Sequence, residues 1–277
     1  MFTSTPLAGN QLAVVHDADG VSDATMHAFA RETKLSETTF VQSGGDGADY
    51  RNRIWMTTGE LPMAGHPSLG TAVAVAHRAG ERSARYVQRT GAGLQPVEVE
   101  LDGRVARASM LQEPPVFGSE IDPPRALAAI GLAPADAESG PTHPAPQVVS
   151  TGLEHLLVPL RDADALGRAR VDAGRLAAVL NEVGGTTLYA FTVRDGHADA
   201  RAFYIDAGGA WSEDPATGSA AGPLLAYLRE RRGLDALTID QGVQMGRASR
   251  LEALWEDDRP RVGGEVVVLA EGTVSLP

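Results

Sequence analysis

Two stretches decide the fold: Pro67-Ser68-Leu69-Gly70-Thr71-Ala72-Val73-Ala74-Val75-Ala76, and Pro215-Ala216-Thr217-Gly218-Ser219-Ala220-Ala221-Gly222-Pro223-Leu224-Leu225-Ala226-Tyr227-Leu228. Both are headed by proline, and both are small or apolar on every side. A helix with no polar face must be surrounded by protein. Short strands flank each stretch, so each predicts a central helix wrapped by a curved sheet or barrel, an α+β architecture in two similar lobes. Pro223 removes an amide donor well inside the second helix and predicts a kink there, with Gly222 easing the strain.

Working outward from the helices, the chain matches itself at an offset of 148 residues. At that single gapless shift Thr38-Thr39 falls on Thr186-Thr187, Arg53 on Arg201, Trp55 on Phe203 and His66-Pro67 on Asp214-Pro215. Gly70, Thr71 and Ala72 fall on Gly218, Ser219 and Ala220. A shared register of this kind points to duplication of one unit. The pattern predicts lobes at residues 1–113 and 114–277, with the last strand returning to the first lobe. Within the first lobe, residues 10–15, 38–42 and 51–56 read as strands and 23–31 as a helix. In the second, 155–160, 187–193 and 201–205 read as strands and 173–181 as a helix. Hairpin-like runs follow the central helices at 97–105 and 262–269. The Pro- and Ala-rich residues 114–146 read as the connection between lobes.

Composition narrows the function. Of 277 residues, 43 % are hydrophobic and 22 % charged, and no apolar run is long enough to cross a bilayer. No signal-peptide pattern opens the chain, so a cytoplasmic protein is expected. A net charge of −12 without a basic tract disfavours nucleic acid, although a local positive field can still hold a small anion. Cysteine is absent, which excludes disulfides, thiolate metal sites and thiol catalysis. The seven histidines show no metal-ligand spacing, so a catalytic metal is not expected.

The two prolines predict helix N-termini headed by His66 and Asp214. Asp before Pro is a common N-cap, which gives Asp214 a structural reading beside a functional one. Gly65 and Gly70 around one helix start, and Gly218 in the other, let backbone amides approach a ligand. With the helix dipole they make a place for a carboxylate. Glu37, in Ser36-Glu37-Thr38-Thr39-Phe40-Val41, falls opposite Gly185 at the same offset, so the copies differ there. Surface solvation is the ordinary reading of a lone Glu. A carboxylate in apolar surroundings, however, can serve as general base or acid near neutral pH.

Three blocks together resemble the PhzF-like isomerases of phenazine biosynthesis: residues 36–41; Glu60-Leu61-Pro62-Met63-Ala64-Gly65-His66-Pro67 with Leu69-Gly70-Thr71-Ala72; and residues 213–222. Gln241-Gly242 with Met245-Gly246-Arg247 is similar to a fourth block, and matches run from Gly9-Asn10 to Arg250. The resemblance implies a diaminopimelate epimerase-like fold, a homodimer and an active site between the lobes. It implies isomerisation of trans-2,3-dihydro-3-hydroxyanthranilate or a similar small carboxylated substrate without a cofactor. By that resemblance Glu37 takes and returns the proton, and His66 and Asp214 assist it and bind polar groups with Ser219. Amides near Gly65 and Gly218 hold the carboxylate, and Gly70 and Thr71 complete the site. The chain departs from the family pattern in a short lead into its first strand, in Ala248 after Met-Gly-Arg, and in Pro223. Two other readings stand beside this one. One is an amino-acid epimerase or racemase using non-cysteine groups such as Glu37 and Asp214; the other is a binding protein that keeps the pocket without turnover.

Overall fold

The computed structural model describes residues 1–139, 144–206 and 208–277, in two compact units. The first comprises Met1–Leu111 with Gly263–Pro277, and the second Gln112–Val262.

In the first unit the order is β1 (Ala13–Val15), α1 (Asp23–Thr33), β2 (Thr38–Ser43), β3 (Tyr50–Met56), β4 (Gly59–Leu61), α2 (Gly65–Ala79), β5 (Ser83–Thr90), β6 (Gly93–Asp102) and β7 (Val105–Leu111). Strands run in the order β1-β2-β3-β5-β6-β7, with β4 added to β3. The α2 helix packs against all of β1, β2, β3, β5, β6 and β7. That enclosure is what its sequence demands: residues His66 to Val73 and Ala76 are buried, and exposure is confined to the last residues, Arg78 and Ala79. On the opposite face α1 lays Met26 and Ala30 against Phe40 and Trp55.

The second unit continues with β8 (Val116–Glu120), α3 (Pro123–Ala129), β9 (Gln147–Ser150), β10 (Glu154–Pro159), α4 (Ala163–Arg168), α5 (Ala173–Val183), β11 (Thr187–Arg194), β12 (His197–Ile205), β13 (Trp211–Asp214), α6 (Gly218–Arg232), β14 (Ala236–Gln241), β15 (Ser249–Glu256) and β16 (Arg259–Val267). The last strand begins in this unit and ends in the other. Side chains alternate along β10 and β11. Leu156, Val158, Leu188 and Ala190 meet α3, α4 and α5 in one core. The other face carries Tyr189 and Phe191, and Phe191 meets Tyr227 of α6 edge-on at 5.8 Å.

Several expectations need correction. Residues 114–146 are not a bare connection, because β8 and α3 lie within them and belong to the second unit; residues 140–143 of that stretch lie outside the described part. Pro67 does not start its helix, since α2 begins at Gly65. Pro215 precedes its helix altogether, because α6 begins at Gly218 and Asp214 closes a strand. Gly222 has a different task from easing strain at Pro223: a Cβ there would overlap Gln112 Oε1 and lie 2.8 Å from Pro260 Cγ.

The duplication is real, but its register is gapped. Trp55 pairs with both Thr38 and Glu60, and Phe203 pairs with both Leu188 and Glu213. Trp55 therefore corresponds to Phe203, as the offset indicated, whereas Glu60 corresponds to Glu213. The helix starts Gly65 and Gly218 then coincide, as do the closing glycines Gly80 and Gly233. The gap arises because the β3–β4 hairpin closes at Met56 and Gly59, and the β12–β13 hairpin at Ile205 and Trp211. His66 thus corresponds to Ser219 rather than Asp214, and Asp214 to Leu61. Glu37, which precedes Thr38, corresponds to Thr187 rather than Gly185.

Candidate active site

Each unit steadies its helix start with the same ion pair. Arg53 makes a bidentate contact with Glu60, its Nη2 lying 2.8 Å from Oε2, and also reaches Asp23 at 3.0 Å. Arg201 holds Glu213 through two bonds of 2.8 Å and donates to the carbonyls of Leu166 and Ala169. These bidentate pairs fix the short strands that lead into α2 and α6.

The start of α2 has no side-chain cap. Ser68 N–H bonds Ala64 O at 3.2 Å, and Pro67 has no N–H, so the amides of Gly65 and His66 are the two of the first turn that find no acceptor among the described residues. At α6, Ala220 N–H bonds Thr217 O at 3.0 Å and Thr217 N–H bonds Gln241 Oε1 at 3.1 Å. Gly218 and Ser219 are left with the open amides. Paired amides at a helix start suit an oxyanion.

Glu37 lies one residue before β2, and His66 in the first turn of α2. Their side chains are 14 % and 8 % exposed, and His66 Nε2 lies 3.0 Å from Glu37 Oε2. Neither of these two buried atoms has a well-aligned hydrogen bond. Acid/base pairs in an unliganded site commonly stand in this way and tighten when substrate arrives. On its other side His66 Nδ1 is 3.4 Å from Asn10 Nδ2.

Gly70 and Thr71 sit deeper in α2. A Cβ on Gly70 would meet Leu12 Cδ2 at 2.5 Å and Met1 Sδ at 2.7 Å, and the Thr71 hydroxyl is 2.8 Å from that of Thr39. Both residues serve the packing beneath the helix start.

In the second unit Asp214 Oδ2 accepts from Thr217 Oγ1 at 2.7 Å. Gln241, fully buried, organises this corner: its Nε2 donates to Asp214 O at 2.7 Å and to Thr217 Oγ1 at 3.0 Å. Its Oε1 accepts from Tyr189 Oη at 2.9 Å, and burial with the nearby Asp214 charge pushes the Tyr189 phenol well above its ordinary range. The amide is thereby fixed in orientation, and the Thr217 hydroxyl must point its proton at Asp214. Asn10, Thr217, Tyr189 and Gln241 had no role in the sequence reading. The only signal was the pair of motifs Gly9-Asn10 and Gln241-Gly242. Gly242 has a positive φ of 73° and lies so close to Pro215 that a Cβ would be 2.6 Å from its carbonyl oxygen.

Among the described residues one trio could approach a cation together, His197, Asp199 and Asp240, whose ligand atoms lie within 4.8 Å of one another. Arg250 already holds Asp240 through bonds of 2.8 and 3.0 Å and keeps its carboxyl below the ordinary range. No helix among the described residues is long and apolar enough to cross a membrane.

Comparison with known proteins shows which family these two helix-in-sheet units belong to. A family model described as phenazine biosynthesis-like protein, PhzC-PhzF, matches residues 1–272. The trans-2,3-dihydro-3-hydroxyanthranilate isomerase of Pseudomonas aeruginosa is 36 % identical over 99 % of this chain and 97 % of its own length. Two solved structures share the fold. A predicted epimerase from P. aeruginosa has a TM-score of 0.79 at 35 % identity, covering 98 % of this chain and 97 % of its own. A PhzF-family phenazine biosynthesis protein from Bacillus anthracis has a TM-score of 0.84 at 25 % identity, covering 96 % and 94 %. The chain belongs to the PhzC/PhzF family and is an isomerase of the PhzF type.

Proposed function

We propose that this isomerase moves a proton between two carbons of a small carboxylate-bearing substrate, with Glu37 as the acid/base group and no cofactor. The observation that carries the reading is the 3.0 Å contact of the partly buried Glu37 with the buried His66, which have no other ionic partner among the described residues. A carboxylate held at one edge by a ring can take a proton from one carbon and return it to a neighbouring one, provided the substrate is fixed and water is kept away. His66 assists by orienting Glu37. The substrate's carboxylate is assigned to a pair of open helix-start amides, Gly65 with His66 or Gly218 with Ser219. Asp214, oriented by Thr217, binds a polar group of the substrate with Ser219. Gly70 and Thr71 hold α2 in place from within. Likeness to the P. aeruginosa enzyme favours a cyclic hydroxyamino acid of the trans-2,3-dihydro-3-hydroxyanthranilate kind, turned over by a homodimer. A pure binding protein has no use for an acid/base pair buried in this way.

The test is incubation in deuterated water with candidate carboxylates. Deuterium is expected to enter carbon with the wild-type protein and to fall by at least about 10²-fold with Glu37→Gln, the lower range for loss of a general acid/base. Equal incorporation in both proteins would remove Glu37 from the mechanism.

A further inference from the structure

We propose that Asn10 is a positioning residue that fixes His66 as its Nε2–H tautomer, so that the ring holds Glu37 Oε2 and leaves Oε1 as the oxygen that carries the proton. The proposal rests on the reading of Glu37 as the acid/base group.

The placement of Asn10 begins with the backbone. Gly9 has a φ of 70°, and a Cβ there would strike the carbonyl oxygen of Met1 and lie 2.5 Å from Thr3 Cγ2, so only glycine fits. Asn10 is then pinned by its own peptide groups: its N–H donates to Met1 O at 2.9 Å, and its carbonyl accepts from the Met1 amino group at 2.7 Å. The side chain is fully buried and aims its amide nitrogen at His66 Nδ1, 3.4 Å away.

An amide NH₂ is only a donor, so the ring nitrogen it meets must offer a lone pair. In a neutral imidazole the proton then sits on the other nitrogen, Nε2. That nitrogen faces Glu37 Oε2 at 3.0 Å. The opposite tautomer would set a ring lone pair against a carboxylate lone pair on one side and two donors against each other on the other. Both sides of the ring therefore select the same form.

The consequence reaches the reaction. Oε2 and Nε2 are both shut away from solvent, whereas Glu37 as a residue keeps some exposure and Oε1 bonds nothing among the described residues. When a substrate C–H breaks, the new O–H forms on Oε1, and the carbon keeps the electron pair. When that proton is returned, the O–H breaks and a C–H forms at the second carbon. His66 keeps its own proton throughout and acts as a fixed dipole.

Nitrogen NMR of protein labelled in the histidine rings reads the tautomer without substrate. The wild type is expected to show His66 in the Nε2–H form at neutral pH. In Asn10→Asp, which keeps the side-chain shape but can only accept, the ring is expected to gain a proton on Nδ1. In Asn10→Leu a mixture of both tautomers is expected. Should Asn10→Leu fail to fold, the Asp variant decides, with circular dichroism confirming its fold. A wild-type ring protonated on Nδ1, or an unchanged tautomer in folded Asn10→Asp, overturns the proposal. The spectra need no turnover, so they stand or fall apart from the deuterium experiment on Glu37→Gln.

Discussion

His155 is fully buried on β10, and neither of its ring nitrogens has a hydrogen-bond partner among the described residues. Burial alone pushes its pKa down to about 4 from an ordinary 6.5. Between those values the unfolded chain binds the proton and the folded chain does not, so stability is full above about pH 6.5 and falls as pH drops toward about 4. The loss amounts to about 3 kcal/mol over that window. Urea midpoints measured from pH 7 to pH 4.5 are expected to fall less steeply in His155→Leu than in wild type. At pH 7 the variant should be no less stable, since it removes two unmet polar atoms. Parallel slopes would show that His155 is solvated in a way its surroundings do not indicate. At this same scale Glu37 and His66 were legible, because each stands in a short block whose residues lie together in sequence. The contacts that orient them were not. Asn10 lies 56 residues from His66 along the chain, and Gln241 lies 24 from Thr217, and no local pattern of burial or periodicity connects such pairs.

The helices repeat across the two units with informative differences. The α1 and α5 helices both end on a left-handed residue, Lys34 with φ 52° in one and Gly184 with φ 68° in the other. A lysine in that region carries strain that glycine does not. Lys34→Gly is expected to raise stability by about 0.5–1 kcal/mol, as substitutions that relieve such backbone strain do, which a thermal or urea melt would detect. Gly222 in α6 predicts the opposite sign. Its missing Cβ makes room for Gln112, whose Nε2 also donates to Gly218 O at 2.9 Å. Gly222→Ala forces that side chain and Pro260 apart, and is expected to cost about 1–3 kcal/mol. A melt unchanged from wild type would mean that the Gln112 contact yields freely. The central helices were legible as buried elements because a segment apolar on all sides has few other destinations. Their first residues were not, since proline marks the first turn loosely. At α2 proline is the third helical residue, and at α6 it stands outside the helix.

At the scale of the whole molecule the duplication was visible in the sequence through Arg53 with Arg201 and Trp55 with Phe203. In both copies the arginine holds a carboxylate, Glu60 or Glu213, and lies over the aromatic ring two residues on. A gapless comparison could not register the longer β12–β13 hairpin, and it therefore matched His66 with the wrong residue. The same two-copy plan makes the chain's last stretch a structural part of its first unit. Gly263 lies so close to β7 that a Cβ would be 2.5 Å from Ala108 O. Thr3 N–H bonds Glu265 O at 2.8 Å, and Val268 N–H bonds Arg104 O at 2.9 Å. Beyond β16, Glu271 reaches His77 of α2 at 2.8 Å, and Leu276 packs against the cluster of Met26, Phe40 and Trp55. Removing residues 269–277 keeps β16 and strips away those last contacts. Partial burial of one leucine with its neighbours is worth about 1–3 kcal/mol. Hydrogen exchange on the truncated protein is therefore expected to quicken in α1, β2 and the end of α2 by a factor of about 5 to 150, while amides in residues 112–262 keep their protection. Uniform quickening across both units would instead mean that the tail supports the whole chain, and no change would remove it from the first unit's core.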